Sequence, residues 1–205
     1  GPPPAHRRGG GTGWPTAARA LWKETLVCWA LMALAGVVGF LLVRGDPSWF
    51  YSIIPAELAG GRDPSASAES LRATLYDSPD NWLSVFATYL FTHNSQVAIL
   101  SFALGFAFAV PTVLLMLYNG LMLGAFFAIF AAKGLALNLA GWLMIHGTTE
   151  LFAIAIAGAA GLRIGMAIAF PGRVSRMASA VQAGRTSATA MIGVVVMLAV
   201  AGLLE

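Results

Sequence analysis

The sequence has few charged residues. Asp, Glu, Lys and Arg make up 10% of its 205 residues, and 58% of the residues are hydrophobic. A soluble globular domain averages about 25% charged residues. The composition therefore excludes an ordinary soluble domain and is typical of a polytopic membrane protein. The length fits one membrane domain and leaves no room for a second, soluble one.

The sequence also lacks the residues that covalent and catalytic sites require. Cys28 is its one cysteine, so an internal disulfide is excluded. An HExxH zinc motif, a Ser-His-Asp set and a phosphate-binding loop are all absent, and we expect neither enzymatic activity nor a cofactor. The start, GPPPAHRRGGGT, opens with the Gly-Pro that a tag-cleaving protease leaves behind. We interpret residues 1–20 as a disordered leader and 21–204 as a single membrane domain.

Long apolar runs predict an all-α transmembrane helical bundle, because about 20 apolar residues cross a hydrocarbon core. Pro111 marks the turn of a helical hairpin, since proline fits the first turn of a helix. We expect this turn to pack inside the protein, because its backbone has few polar neighbours. We also expect a surface or re-entrant helix over 82–96, broken at His93-Asn94. The five predicted spans are about 25–43, 95–110, 112–131, 138–162 and 188–204.

The distribution of basic residues predicts the orientation. Segment 163–187 contains four arginines and no acidic residue, and the N-terminal flank is also basic. The loop 45–81, with a short helix expected around 67–76, holds two basic and six acidic residues. Lys and Arg favour the cytoplasmic side of a membrane. The N-terminus and the basic segment 163–187 are thus predicted to be cytoplasmic and the loop 45–81 extracytoplasmic. We expect the basic segment to contact lipid headgroups.

A few polar residues fall inside the predicted spans. Glu150 is at the midpoint of 138–162, with His146 four residues earlier on the same helical face. Asn119 is near the middle of its own span, and Asn94 follows the surface helix. A charged carboxylate at that depth costs roughly 2.5–3.5 kcal/mol. Three interpretations stay open: a structural polar cluster, a site for an ion or polar solute, and a metal site that needs a further ligand.

Small residues recur at helical spacing in the third and fourth predicted spans, 112–131 and 138–162. Such residues let helix backbones approach closely, either within one chain or between two copies. The predicted packing positions are Gly120, Gly124, Gly147, Gly158 and Gly161.

Two stretches, LYNGLMLGAFF and HGTTELFAIAIAGAAGLRIG, carry a resemblance to the stage II sporulation protein M family of bacterial membrane proteins. The resemblance runs from about Arg44 to the end. The family's His-Gly-x-x-Glu-Leu motif matches His146, Gly147, Glu150 and Leu151, and its small-residue run matches Gly158 and Gly161. Ile145 stands where the family often has proline, and His93-Asn94 where it often has Asn-Asn, so His93 is not a shared ligand.

The resemblance implies a protein of the bacterial inner membrane. The founding sporulation member is a scaffold that holds peptidoglycan-degrading enzymes at the septum, and most relatives occur in bacteria that do not sporulate. The first hypothesis is accordingly a scaffold or assembly factor for a cell-envelope complex, with 45–81 and 163–187 as partner surfaces. The alternative is a transporter or channel for a proton, cation or small polar solute that uses Glu150 and His146. An intramembrane metal-dependent hydrolase is a remote third. The expected partners are the lipid bilayer, envelope proteins and a second copy, and not nucleic acid.

Overall fold

The computed structural model describes residues 13–76 and 82–204, with their side chains except those of 82–90, 146, 203 and 204. All regular structure in these ranges is helical, which confirms the predicted all-α class. The helices are α1 (Trp14–Ala20), α2 (Trp22–Gly45), α3 (Trp49–Ile53), α4 (Ala56–Ala59), α5 (Ala68–Tyr76), α6 (Trp82–Ala103), α7 (Val110–Ala132), α8 (Ala136–His146), α9 (Thr148–Ala169) and α10 (Arg176–Leu204), with a 3-10 turn (Leu104–Phe106) before α7.

Within the described ranges, four helices are long and apolar enough to cross a membrane. They are α2, α7, α9 and the 176–202 part of α10, with mean hydropathies between 1.6 and 2.6. Helix α6 has a comparable 22 residues but carries the polar quartet 93–96 in its middle. The chain is thus a helical membrane bundle with four candidate spans in the described ranges. The predicted span 95–110 falls on the second half of α6 and the turn after it.

Helix α9 is the centre of the bundle and packs against α2, α6, α7 and α10. Most of its buried residues are Ala or Gly, so its neighbours approach its backbone closely. Gly158 faces Met116 of α7, and Gly161 faces both Thr112 of α7 and Ser101 of α6. These pairings make α7 antiparallel to α9.

The predicted span 138–162 is interrupted in the structure. Helix α8 ends at His146, and α9 begins at Thr148 after Gly147. The Gly147 N–H donates to Leu143 O at 2.8 Å, and this bond closes the last turn of α8. The hydrophobic pattern could not show this break, because both helices are apolar and periodicity continues across one residue.

The hairpin before α7 differs from its predicted form in two respects. Helix α6 runs without interruption through His93 and Asn94, where the sequence suggested a break between a surface helix and a span. The turn itself lies next to Pro111, which is in the first turn of α7. It was predicted to pack inside the protein, but only Gly105 and Ala109 are buried against α9, whereas the apolar side chains beside them are exposed: Leu104, Phe106, Phe108 and Val110.

Both ends of the chain are more helical than expected. The leader assigned to 1–20 contains α1, which packs against α10 through Trp14 and Gly193; residues 1–12 lie outside the described ranges. Helix α10 begins at Arg176 rather than near 188. The basic segment 163–187 is therefore the end of α9, a connection over 170–175 and the first turns of α10. The short helix expected around 67–76 is α5.

Candidate functional site

Glu150 lies in the first turn of α9, and its side chain is fully buried at 0% exposure. The break at Gly147 puts this carboxyl group at a helix N-terminus instead of the middle of a continuous helix. The unpaired N–H groups there carry a partial positive charge that stabilises an acidic side chain by about 0.3–1 kcal/mol, and more when it is buried. The local fold therefore lowers the cost of placing an acid inside the bundle.

Asn94 is the partner that α6 provides. Its Nδ2 donates a hydrogen bond to Glu150 Oε2 at 2.5 Å, and the Asn94 side chain is 8% exposed. Because Asn94 lies near the middle of α6, this bond places the start of α9 at that depth in the bundle. The sequence grouped these two residues only as members of one polar set, since no spacing rule connects positions 56 residues apart.

The other two predicted members of the polar set are placed differently. Asn119 is buried in α7, and its Nδ2 donates to Leu115 O of the same helix at 2.8 Å. His146 is the last residue of α8, and its side chain lies outside the described part of the structure. The helix is interrupted between His146 and Glu150, so the expectation that they share one helical face stays a prediction.

Glu150, Asn94 and Asn119 line one cavity of about 120 Å³, which we call the Glu150 cavity. Its sides are formed by the C-terminal half of α7, by α8, by the middle of α6 and by the first turn of α9. Residues of α4 and α5 and the turn after α4 cover it on the loop side. Most of the lining is apolar, and these apolar residues are Leu58, Leu75, Met122, Leu123, Phe126, Phe130, Leu139, Trp142, Leu143 and Leu151.

Arg62 is a lining residue that the sequence analysis missed. Its side chain is 5% exposed, and its Nε donates to Ala59 O at 3.2 Å. Burial lowers the pKa of the Arg62 guanidinium from 12.5 to about 10, so the group stays protonated at neutral pH. In the sequence, the Gly60-Gly61 pair before Arg62 was the available sign of a turn. Both glycines have positive φ, and they turn the chain so that Arg62 faces the cavity.

His93 also lines the Glu150 cavity, next to Asn94 on α6. Its Nε2 atom is buried and has no hydrogen-bond partner among the described residues. A buried polar atom without a partner is uncommon in native proteins and costs about 1–3 kcal/mol. The sequence suggested that His93 lies at the outer surface, whereas the unbroken α6 puts it inside the bundle.

Beyond the first turn of α9, its small residues bring its backbone against α6 and α7. Further along, Arg163 Nη1 contacts Glu24 Oε1 at 3.2 Å and donates to Ala20 O at 2.6 Å. The sequence assigned Arg163 to lipid headgroups, but it joins the end of α9 to the start of α2.

Four of the five predicted packing glycines lie between helices. Gly120 and Gly124 face the backbone of α2, Gly158 faces Met116, and Gly161 faces Ser101. Gly147 instead marks the break before α9. Among the described residues there is no cluster of three or more His, Cys, Asp or Glu side chains that could hold a metal ion.

Comparison with known proteins gives the family. The model of the family described as Stage II sporulation protein M matches residues 25–205. The chain belongs to this family. The match runs from α2 to the end of the chain, so it includes every residue of the Glu150 cavity and confirms the resemblance seen in the sequence. The comparison with curated proteins gave no match, and neither did the comparison with solved structures.

Proposed function

We propose that this member of the stage II sporulation protein M family is a transporter that binds a small polar solute in the Glu150 cavity. The observation that carries the proposal is a fully buried carboxyl group on the wall of an internal cavity. Ionisable residues inside membrane proteins are by default part of a functional site. In this proposal the protein is in the bacterial inner membrane with its N-terminus in the cytoplasm, so the Arg62 side of the cavity faces outward.

The cavity itself favours solute binding over a purely structural role for Glu150. A structural cluster needs only the Asn94 hydrogen bond, which α6 and α9 could make in direct contact. The structure instead keeps a cavity of about 120 Å³ beside the bond, lined by polar as well as apolar groups. One of these groups is the buried Nε2 of His93, which a bound solute could satisfy.

The lining restricts the class of solute. Glu150 offers a hydrogen-bond acceptor at one end, and Arg62 brings a positive charge to the loop side. The positive charge of Arg62 disfavours a bare cation, whereas a zwitterion can direct its amine to Glu150 and its acid to Arg62. The apolar walls suit a short hydrocarbon body. We therefore favour a small zwitterionic organic solute over a proton or metal cation, and the proposal includes no catalytic step.

A scaffold for a cell-envelope complex is the second candidate function. The Asn94–Glu150 hydrogen bond favours it, because the bond locks α6 to α9 without any solute. In that case the loop 45–81 and the segment 163–187 would contact partner proteins, and Glu150 would act only on stability. The two proposals predict different results when the Glu150 carboxyl group is replaced by an amide. Transport is lost if Glu150 binds the solute, and function is retained if Glu150 acts only on stability.

Uptake of labelled solutes into proteoliposomes tests the proposal. The probes are a panel of radiolabelled amino acids and small amines, applied to the purified full chain under a solute gradient, because a zwitterion carries no net charge and its transport need not produce a current. We expect uptake of at least one zwitterion, its loss in Glu150→Gln, and its retention in Glu57→Gln, which changes an exposed acid of the outer loop. Gln keeps an oxygen that can accept from Asn94, so the folded state is preserved. If no probe is taken up, or if Glu150→Gln transports normally, the assignment to Glu150 is wrong.

A further inference from the structure

A second cavity, of about 330 Å³, lies at the end of the bundle near the loop, between the C-terminal ends of α2 and α7. Its walls are largely apolar on the helix side, and two basic side chains line it. We call it the Arg44 cavity, and the residues used here are Phe40, Val43, Arg44, Ala128, Ile129 and Lys133. None of these residues lines the Glu150 cavity.

Two basic side chains line the Arg44 cavity. Arg44 is at the end of α2 and Lys133 directly follows α7, both side chains are exposed, and no acidic residue is among those that line the cavity. A phosphate group that enters the cavity can therefore accept hydrogen bonds from a guanidinium and from an ammonium group.

Two acidic residues, Asp46 and Asp63, adjoin the lining residues Pro47 and Pro64, and each is held within its own turn. Asp46 Oδ1 accepts from Ser48 N at 2.9 Å, and Asp63 Oδ1 accepts from Ser65 N at 2.7 Å. Among the described residues, neither carboxylate forms an ion pair with Arg44 or Lys133. The Arg44 guanidinium lies 5.9 Å from the centre of the Phe40 ring, within the range of a cation–π contact. This contact holds the charge of Arg44 over the apolar wall of the cavity.

We propose that the Arg44 cavity binds the phosphate of an anionic phospholipid, with one acyl chain along α2. The phosphodiester is the anionic group that Arg44 and Lys133 would bind. The apolar walls belong to helices with mean hydropathies of 2.6 and 2.1, which favours a lipid over a soluble phosphate. Leu41 and Val37, one and two turns before Arg44, are exposed on α2 and offer an apolar track for the chain. This inference does not depend on the function proposed for Glu150.

Lipid titration of the purified full chain tests the inference. Native mass spectrometry in detergent gives the dissociation constant of the first bound phosphatidylglycerol, with phosphatidylcholine as the neutral comparison and glycerol phosphate as a soluble competitor. A basic residue near an anionic lipid surface contributes about 1 kcal/mol, which is roughly fivefold in affinity. We expect the double variant Arg44→Gln/Lys133→Gln to weaken phosphatidylglycerol binding by about 25-fold.

Two variants make the result specific. Arg72→Gln removes an exposed positive charge of the same loop outside the cavity, and it should leave the affinity unchanged. Arg44→Lys keeps the charge and should retain most of the binding. Equal affinities of wild type and double variant would overturn the inference, as would equal binding of the two phospholipids. Displacement by glycerol phosphate at the same affinity as the lipid would replace the lipid with a soluble phosphate and overturn the acyl-chain assignment.

Discussion

The Nδ2 group of Asn94 donates a hydrogen bond to Oε2 of Glu150 and so joins the middle of α6 to the first turn of α9. Both helices have the length of a membrane span, and both residues line the same cavity. One bond thus holds two helices together and fixes one oxygen of the carboxyl group at the cavity wall. A functional acid must be held in place in this way if it is to present its charge to a solute.

Replacing Asn94 with Leu should destabilise the protein. The change removes the donor from a buried acceptor, and such a loss costs about 1–3 kcal/mol. The double variant Asn94→Leu/Glu150→Leu should lose less than the sum of the two single variants, because neither polar group is then left behind. Unfolding in mixed micelles measures these free energies. Thr189→Ala, which removes an exposed hydroxyl bonded to its own helix, is the control and should have little effect. Additive losses would contradict the pairing.

Gly124 should not tolerate a side chain. A Cβ at this position would meet the Gly36 carbonyl and lie 2.8 Å from Phe40 N, so α2 and α7 would have to separate. We expect Gly124→Ala to cost about 1–3 kcal/mol of unfolding free energy, as overpacking does. Gly141→Ala is the matched change in α8, where a Cβ meets nothing within 4 Å. It should stabilise by up to about 1 kcal/mol through helix propensity. Equal effects at the two positions would argue against the close contact.

Gly60 should control the position of Arg62. Its φ is +50°, and a Cβ there would lie 2.8 Å from Arg62 Nη2. Gly60→Ala should therefore cost about 1–2 kcal/mol for the left-handed backbone and displace the guanidinium from the Glu150 cavity. The affinity for a solute that uses Arg62 should fall together with stability. Gly45→Ala, at an open position without positive φ, should leave both unchanged. Solute-dependent thermal shifts report the affinity, and unchanged shifts in Gly60→Ala would remove Arg62 from the binding site.

Cysteine labelling tests the orientation. In a Cys28→Ala background, Ser70→Cys on the exposed face of α5 should react with a membrane-impermeant maleimide in intact cells. Val174→Cys, in the connection between α9 and α10, should react only after permeabilisation. The expectation follows from the arginines around 163–187, which favour the cytoplasmic side. The opposite labelling pattern would show that the orientation is reversed, with the Arg62 side of the cavity facing the cytoplasm.

Much of the fold could be read from local features of the chain. The apolar runs gave the helical membrane class, and Pro111 marked the turn before α7. The break at Gly147 and the continuity of α6 could not be read in this way. Whether a helix continues through one polar or flexible residue depends on the neighbours it packs against, and these come from elsewhere in the chain.

The sequence by itself determined that this chain is a helical membrane protein of its family, because hydropathy, charge distribution and motif spacing are properties of neighbouring residues. It also singled out Glu150, Asn119 and Asn94 as polar groups in an apolar setting. Only the tertiary structure paired Asn94 with Glu150, brought Arg62 into the same cavity and placed Arg44 beside Lys133. These contacts depend on the depth and rotation of whole helices, which close packing between small residues sets and local sequence does not.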